Sequence, residues 1–239
     1  MKVIIETAEK VAQLAADRYE KLLTQKPNAV LGLATGSTPL GLYRELVRRS
    51  KMGQICFDRV TTFNLDEYVG LDGSHDQSYR YFMNTNLFDH VDIQKKNTHV
   101  PSGVDTSCEA ASAYDEAILA VGGIDIQLLG IGNNGHLGFN EPNTPFGSST
   151  HMVELTMSTR EANKRFFQSL EEVPTHAVTM GLKTIMNAKS IILIALGQAK
   201  AEIVRKAIRG EVTPLVPASI LQLHPDAEIY LDHDAASLI

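Results

Sequence analysis

Residues 124–142 read IDIQLLGIGNNGHLGFNEP and place a polar, glycine-rich loop directly after a short apolar run. The apolar part, residues 124–129, is typical of a buried strand. Asn134, His136 and Glu141 follow it, so a carboxamide, an imidazole and a carboxylate are expected just beyond the carboxyl end of that strand. In open α/β sheets, ligands bind at this end.

Strand-like and helix-like segments alternate along most of the chain, which predicts an α/β fold with a doubly wound, mostly parallel, Rossmann-like sheet and helices on both faces. Strands are predicted at 29–34, 59–65, 124–131, 190–196 and 227–231, and helices at 7–24, 39–50, 78–88, 107–120, 159–169 and 198–209. No Gly/Ser-rich or Pro-rich linker divides the 239 residues, so residues 1–239 are expected to form a single domain. Residues 140–151 lack periodicity, which favours a lid within 140–175.

Composition excludes several classes of protein. The formal net charge of -6 argues against nucleic-acid binding, which needs a basic face. Cys56 and Cys108 are the only cysteines, too few for a disulfide framework and consistent with a reduced compartment. The apolar run at the N-terminus is too short for a signal peptide, and no segment approaches the length of a membrane span. A cytoplasmic protein without a membrane anchor is expected.

The glycine-rich loop at 130–142 does not fit a dinucleotide-binding site. Gly130, Gly132 and Gly135 fit the dinucleotide fingerprint G-x-G-x-x-G, which requires a helix to open on the last glycine. Gly138 and Pro142 follow instead and leave no room for an amphipathic helix. No nicotinamide or flavin cofactor is therefore expected.

A second polar turn, TGSTP at residues 35–39, follows the strand predicted at 29–34. Free backbone N–H groups, small hydroxyls and a helix N-terminus can bind an anion there, and glycine lets a phosphate approach the main chain. Helix capping by Ser37 or Thr38 explains the pattern equally well at this point.

A third motif, VTTFNLDEYVG at residues 60–70, ends a β-branched run in two adjacent carboxylates. Asp66 and Glu67 point in different directions if the strand continues, so that one faces a cleft while the other caps or pairs. Taken alone, the motif favours a solvated turn. Basic groups that could meet an anion come later, at Arg160, Lys164, Arg165 and Lys200.

Searches for H-E-x-x-H, paired cysteines, G-x-S-x-G and a Walker lysine find none of them. What remains is acid–base chemistry on a phosphorylated metabolite, with no metal and no cofactor.

The three motifs together resemble the glucosamine-6-phosphate deaminase family. The likeness extends through REANKRFF at 160–167, LGQAKA at 196–201 and LQLHP at 221–225, so it covers nearly the whole chain. The resemblance implies conversion of glucosamine 6-phosphate and water to fructose 6-phosphate and ammonium. It places the phosphate on Thr35, Gly36, Ser37 and Thr38, with Arg165 and Lys200 in contact with it.

By the same resemblance, His136 moves the proton that opens the sugar ring, with Asn134 and Glu141 holding and tuning it. Asp66 carries a proton from C2 to C1 through an enolamine-like intermediate, a task that suits a carboxyl group whose pKa is tuned by its cleft. Tyr68 shapes the sugar site.

The chain departs from the family in two respects. Some members have aspartate where this chain has Asn134, which leaves Glu141 as the main charged support of the histidine. Hexameric members bind the activator N-acetylglucosamine 6-phosphate through a basic pair, at places that His151 and Val153 occupy here. The chain also ends earlier, at Ile239. A monomeric, non-allosteric enzyme is expected.

Two alternatives remain. 6-Phosphogluconolactonase resembles this chain in the phosphate loop and the Gly-His segment, but its acidic motif usually continues Asp-Glu-Arg, whereas Tyr68 follows Glu67 here. A phosphosugar-binding protein without catalysis would require a missing acid–base group, yet Asp66, His136 and Glu141 are all present.

Overall fold

Ten short strands form in the computed structural model, which describes residues 1–239. In chain order they are β1 (Lys2–Ile5), β2 (Val30–Leu33), β3 (Thr61–Asn64), β4 (Asp66–Tyr68), β5 (Thr98–His99), β6 (Ile126–Leu129), β7 (His151–Glu154), β8 (His176–Thr179), β9 (Ser190–Ala195) and β10 (Ala227–Leu231). Seven of them pair in parallel in the order β1-β10-β9-β6-β2-β3-β5. The predicted doubly wound sheet is confirmed, and each of the five predicted strands is present in it.

Helices flank this sheet. They are α1 (Ala8–Gln25), α2 (Leu40–Lys51), α3 (Tyr79–Asn86), α4 (Cys108–Ala120), α5 (Met157–Asn163), α6 (Leu182–Met186) and α7 (Ala201–Arg209). Short 3-10 turns lie at Phe88–His90, Lys95–Asn97, Lys164–Phe166, Gln198–Lys200 and Pro217–Leu223. The hydroxyl of Thr7 caps α1, as predicted, by accepting a hydrogen bond from the backbone N–H of Lys10 at 3.2 Å.

The helix predicted at 159–169 differs from the observed one. It begins earlier, at Met157, because Thr156 is its N-cap and accepts a hydrogen bond from the N–H of Thr159 at 3.3 Å. It gives way to a 3-10 turn at Lys164, and Phe167 is extended. The helix predicted at 198–209 similarly opens as a 3-10 turn before α7.

The chain reverses its winding between β2 and β6, which are neighbours at the centre of the sheet. From β2 the chain continues outward to β3 and β5, whereas from β6 it continues to β9 and β10 on the other side. Such a reversal opens a crevice at the carboxyl ends of the two strands. Close approach of these strands needs Gly32, because a Cβ at that position would lie 2.0 Å from Oε1 of Gln127.

A second, three-stranded antiparallel sheet of order β4-β8-β7 was not predicted. Its strands have three or four residues, and β7 alternates between half-buried and exposed positions. Segments this short lack a periodicity that distinguishes them from loops. This sheet lies next to the crevice, since β4 begins with Asp66.

The core is a cluster of 49 buried hydrophobic residues around the central sheet. A separate cluster of Tyr68, Phe139, Leu155 and Ala177 packs beside the small sheet. No helix of the protein is both long enough and apolar enough to cross a membrane.

Candidate active site

One large cleft, of about 940 Å³, opens at the carboxyl ends of β2 and β6. Ten of the eleven site residues predicted from the sequence line it: Thr35, Gly36, Ser37, Thr38, Asp66, Tyr68, Asn134, His136, Arg165 and Lys200. The eleventh, Glu141, lies beside the His136 imidazole as a second layer. The three sequence motifs therefore meet in one place, although 101 residues separate Thr35 from His136 along the chain.

One end of the cleft is built to hold an anion. Gly36 has φ +92°, which a glycine adopts without strain, and the loop then leads to the N-terminus of α2 at Leu40. No side chain caps α2, and Pro39 is its N-cap residue. The capping alternative for residues 35–38 is therefore wrong, and the loop that lines the cleft leads directly into a helix N-terminus without a side-chain cap.

Two basic side chains complete this end. Lys200 donates hydrogen bonds from Nζ to the backbone oxygen of Ile131 at 2.8 Å and to Oδ1 of Asn133 at 2.6 Å. Its partners are neutral, and burial together with the charge of Arg165 lowers the pKa of its ammonium group. The Arg165 guanidinium lies 4.7 Å from the ring centre of Phe166. Two neighbouring cations without a carboxylate partner favour an anionic ligand.

The other two basic candidates do not reach the cleft. Arg160 donates hydrogen bonds to the backbone oxygens of Leu170 at 3.0 Å and Val173 at 3.2 Å, which ties the segment after α5 together. Lys164 is exposed and lies outside the lining of the cleft.

The loop after β6 holds the imidazole of His136 in a defined position. A Cβ at Gly132 would lie 2.3 Å from Nε2 of His136, so the glycine makes room for the ring. The N–H of Gly132 also donates to the backbone oxygen of His136 at 3.0 Å, and Oδ1 of Asn134 accepts from the N–H of His136 at 3.2 Å. The glycines that mimic a nucleotide fingerprint thus shape a tight turn around a histidine.

Glu141 stands behind this histidine, with its Oε2 3.6 Å from Nδ1 of His136. Nδ2 of Asn134 donates to the same carboxylate oxygen, while the hydroxyl of Thr159 donates to Oε1. Burial by itself raises the pKa of Glu141, but His136, Thr159 and Asn134 outweigh it and lower the pKa to about 2. A permanent negative charge therefore lies next to the imidazole.

Asp66 has the opposite environment. Its side chain is 6% exposed, and burial, assisted by the negative charge of Glu67, raises the pKa of its carboxyl group to about 8. The loop after His136 closes over it, because a Cβ at Gly138 would lie 3.2 Å from Oδ2 of Asp66. Asp66 is therefore a protonated acid near neutral pH in the empty cleft.

Glu67 points away from the cleft, as its place one residue along the strand predicts. Its carboxylate accepts hydrogen bonds from three backbone N–H groups, those of Tyr68 at 2.9 Å, Tyr79 at 2.8 Å and Arg80 at 3.0 Å. The latter two open α3, so Glu67 stabilises the start of that helix. The solvated-turn alternative for Asp66 and Glu67 is wrong, because both carboxylates are buried.

Aromatic rings form the wall of the cleft next to Asp66. The ring of Tyr68 packs against Tyr79, Phe139 and Phe167, with ring centres 4.8 to 5.7 Å apart. These rings exclude water from the Asp66 side and leave the 35–38 side open to polar groups. The resemblance identified Tyr68 but not the other three rings.

Sequence reasoning also missed Thr159, which is 5% exposed and holds Glu141. Its signal in the sequence is weak: Thr156, Ser158 and Thr159 are hydroxyl residues at a helix start, a pattern that predicts only capping.

The one cluster with metal-ligand geometry lies outside the cleft. Ligand atoms of Cys56, Asp58 and Asp92 fall within 4.8 Å of one another on the surface. The thiol of Cys56 lies 2.9 Å from Oδ2 of Asp92 and 3.1 Å from Oδ1 of Asp58 and has one proton to donate. Its hydrogen bond to Asp92 is the main cause that raises the pKa of the thiol to about 11. A thiol kept protonated in this way is a poor metal ligand. The cleft itself offers acid–base groups and cations.

Comparisons with known proteins agree with this chemistry. The model of the family described as glucosamine-6-phosphate isomerases/6-phosphogluconolactonase matches residues 5–230. Glucosamine-6-phosphate deaminase of Thermoanaerobacter pseudethanolicus is 53% identical over 100% of this chain and 95% of its own. The Clostridium perfringens (strain 13) enzyme of the same name is 50% identical over 99% of this chain and 98% of its own.

Solved structures add two neighbours. A monomeric glucosamine-6-phosphate deaminase superposes with a TM-score of 0.97 at 44% identity, and the match covers 100% of both chains. A 6-phosphogluconolactonase from Thermotoga maritima superposes with a TM-score of 0.74 at 18% identity over 97% of this chain and 98% of its own. At that identity the second neighbour shows a common fold and nothing more.

Proposed function

Because the chain belongs to the glucosamine-6-phosphate isomerase/6-phosphogluconolactonase family, we propose that it is a glucosamine-6-phosphate deaminase, which converts glucosamine 6-phosphate and water to fructose 6-phosphate and ammonium. The observation that carries this proposal is one cleft that joins an anion-binding end to two acid–base groups, His136 and Asp66. Curated relatives of this name are about half identical to it over nearly their full length.

The phosphate of the substrate binds at the 35–38 loop, between the N-terminus of α2 and the cations of Arg165 and Lys200. The Lys200 ammonium has three N–H donors and uses two of them on neutral oxygens, so that the third can donate to a phosphate oxygen. Anchored there, the sugar extends toward His136 and Asp66.

Ring opening is the first chemical step, and we assign it to His136. The C1–O5 bond breaks as the anomeric hydroxyl loses its proton, and the same proton count is restored when O5 receives one. An imidazole can accept and return a proton near neutral pH, and Glu141 stabilises the imidazolium that forms in between. Asn134 donates to the Glu141 carboxylate and accepts from the N–H of His136, which fixes the carboxylate relative to the loop backbone.

Isomerisation and deamination follow. Asp66 removes the proton from C2 of the open-chain aldehyde, which gives an enolamine, and then delivers it to C1. In the same isomerisation the C2 ammonium group loses one proton and the C1 oxygen gains one, so that the product has a hydroxymethyl group at C1 and an iminium group at C2. Addition of water to that group and loss of nitrogen give the C2 ketone of fructose 6-phosphate and ammonium. A single carboxyl group can perform both transfers because C1 and C2 are adjacent.

For this step, Asp66 must be ionised. In the empty cleft its pKa of about 8 keeps it protonated at neutral pH. The substrate carries an ammonium group on C2, next to the proton that Asp66 removes, and this positive charge favours the carboxylate form of Asp66. Binding of the substrate thus converts Asp66 from a protonated acid to a base, while Tyr68 and the neighbouring rings shield the carboxylate from solvent.

We further propose that residues 1–239 act as one domain with a lid within 140–175 and as a monomer. The lid candidate carries Arg165 and two phenylalanines at the rim of the cleft, and the 44% identical deaminase structure is monomeric. His151 and Val153 offer no basic pair, in line with a non-allosteric enzyme. Hydrogen exchange with and without inorganic phosphate tests the lid: protection should appear at 157–167, and its absence there would contradict a lid.

The experiment that tests the function separates the rivals. Incubation with glucosamine 6-phosphate should yield ammonium and fructose 6-phosphate in equal amounts, and Asp66→Asn should yield neither. Hydrolysis of 6-phosphogluconolactone would instead support the lactonase, and binding without turnover a catalytically silent phosphosugar-binding protein.

A further inference from the structure

The carboxylate of Glu141 is useful to His136 only if it is ionised and correctly aimed. It is 7% exposed and lies 3.6 Å from Nδ1 of the histidine, a nitrogen that has no hydrogen-bond partner within the protein. A small rotation of the carboxylate would close or lose this contact. Whatever fixes the rotation of Glu141 therefore acts on the histidine.

The hydroxyl of Thr159 meets this requirement from the opposite side. It contacts Oε1 of Glu141, while Asn134 holds Oε2, so both oxygens are fixed. The hydroxyl of Thr156 lies 3.0 Å from that of Thr159 and 3.3 Å from Oε1 of Glu141, and it can donate its proton to either. A carboxylate can only accept, so the contact between Thr159 and Glu141 uses the one proton of the Thr159 hydroxyl.

Capping of α5 does not explain this contact. Thr156 performs the cap, since its oxygen accepts from the N–H of Thr159 at 3.3 Å. The side chain of Thr159 plays no part in that bond and is buried against Glu141 instead. The hydroxyl of Thr159 is also among the groups that lower the pKa of Glu141.

We propose that Thr159 is a positioning residue for ring opening: its hydroxyl orients Glu141 so that the carboxylate supports the imidazolium of His136. Thr159 lines the cleft but acts through Glu141, and this contact links the lid candidate to the catalytic loop across 18 residues of sequence. The proposal rests on the deaminase function and adds a specific role to it.

The test isolates ring opening from the later steps. Asp66→Asn cannot transfer the C2 proton, so in that background, exchange between the α and β anomers of glucosamine 6-phosphate, followed by NMR exchange spectroscopy, reports ring opening alone. Thr159→Val removes the hydroxyl at nearly constant volume, and Thr159→Ser keeps it. Thr184→Val is the matched control, because the Thr184 hydroxyl donates to Oδ1 of Asp115 at 2.9 Å outside the cleft.

Thr159→Val should slow enzyme-dependent anomer exchange about 10-fold, equivalent to about 1.4 kcal/mol. Thr159→Ser and Thr184→Val should retain the rate, and all variants should bind inorganic phosphate equally. Should Thr159→Val not fold, Thr159→Ala fits the same space and carries the same expectation. Unchanged exchange in the valine variant, an equal loss in Thr184→Val, or no rescue by serine would overturn the proposal.

The two proposals fail in different ways. If the unmodified chain releases no ammonium from glucosamine 6-phosphate, the function is wrong. If it releases ammonium while Thr159→Val leaves anomer exchange unchanged, only the role of Thr159 is wrong.

Discussion

Replacing Asp66 by asparagine should stabilise the fold while abolishing turnover, because the native carboxyl group is held where its charge is unfavourable. Its pKa rises from 3.8 to about 8 on folding. Well below pH 3.8 the group is neutral in both states and carries no penalty. As the pH rises from 4 to 8, the unfolded chain releases the proton and the folded chain retains it, so the native protein loses stability relative to Asp66→Asn.

Each pKa unit corresponds to about 1.36 kcal/mol. The free energy of unfolding of Asp66→Asn should therefore exceed that of the native chain by up to about 1.5 kcal/mol at pH 5, about 4 kcal/mol at pH 7 and about 5 kcal/mol at pH 8. Urea denaturation in phosphate-free buffer at these three pH values measures it as the difference between the two proteins. Ammonium release by the variant should fall by about 100-fold or more.

Glu141→Gln is the control of opposite sign within the same cleft. The pKa of Glu141 falls from 4.5 to about 2 on folding, so its charge stabilises the native state above about pH 4.5, and that contribution is lost as the pH falls through 2. At pH 7 this variant should be less stable than the native chain by up to about 3 kcal/mol. A stability difference between Asp66→Asn and the native chain that does not grow with pH would contradict the raised pKa of Asp66.

Three further perturbations test the other parts of the cleft. Lys200→Met should raise KM about 10- to 100-fold through loss of a charged hydrogen bond to phosphate, while Lys164→Met, outside the cleft lining, should leave KM unchanged in steady-state assays. Gly132→Ala should lower kcat at least about 10-fold, because its Cβ would lie 2.3 Å from the His136 ring, and should leave phosphate affinity unchanged in calorimetry. Full activity would contradict the role of Gly132 in placing the His136 ring. His136→Ala should slow turnover of the closed ring more than that of substrate already opened, and equal losses in rapid-mixing kinetics would argue against a dedicated ring-opening role.

The sequence predicted the central sheet well because its strands carry an unambiguous signal. The runs at 124–131 and 190–196 are mostly apolar, and every residue of β6 and β9 is buried, as is typical of parallel strands covered on both faces. The small sheet escaped prediction, since β4 consists of only Asp66, Glu67 and Tyr68, and polar residues at a strand end read equally well as a turn.

The composition of the site could be predicted, but its electrostatics could not. Asp66 and Glu141 are both carboxylates next to apolar residues in the sequence, yet one pKa rises and the other falls. The difference is that hydrogen bonds and charge from His136, Thr159 and Asn134 outweigh the burial of Glu141, whereas burial and the negative charge of Glu67 act on Asp66 without such partners. Such contacts depend on how the small sheet and α5 pack against the crevice.

The proposed cleft opens the ring of an amino-sugar phosphate and transfers its C2 proton through Asp66. Running the reaction in deuterated water with glucosamine 6-phosphate, while ammonium, fructose 6-phosphate and the isotope at C1 are followed, tests both steps. We expect equal amounts of the two products, deuterium at C1 wherever the Asp66 proton exchanges with solvent, and none of these with Asp66→Asn. Ammonium release that persists in Asp66→Asn would contradict the role of Asp66.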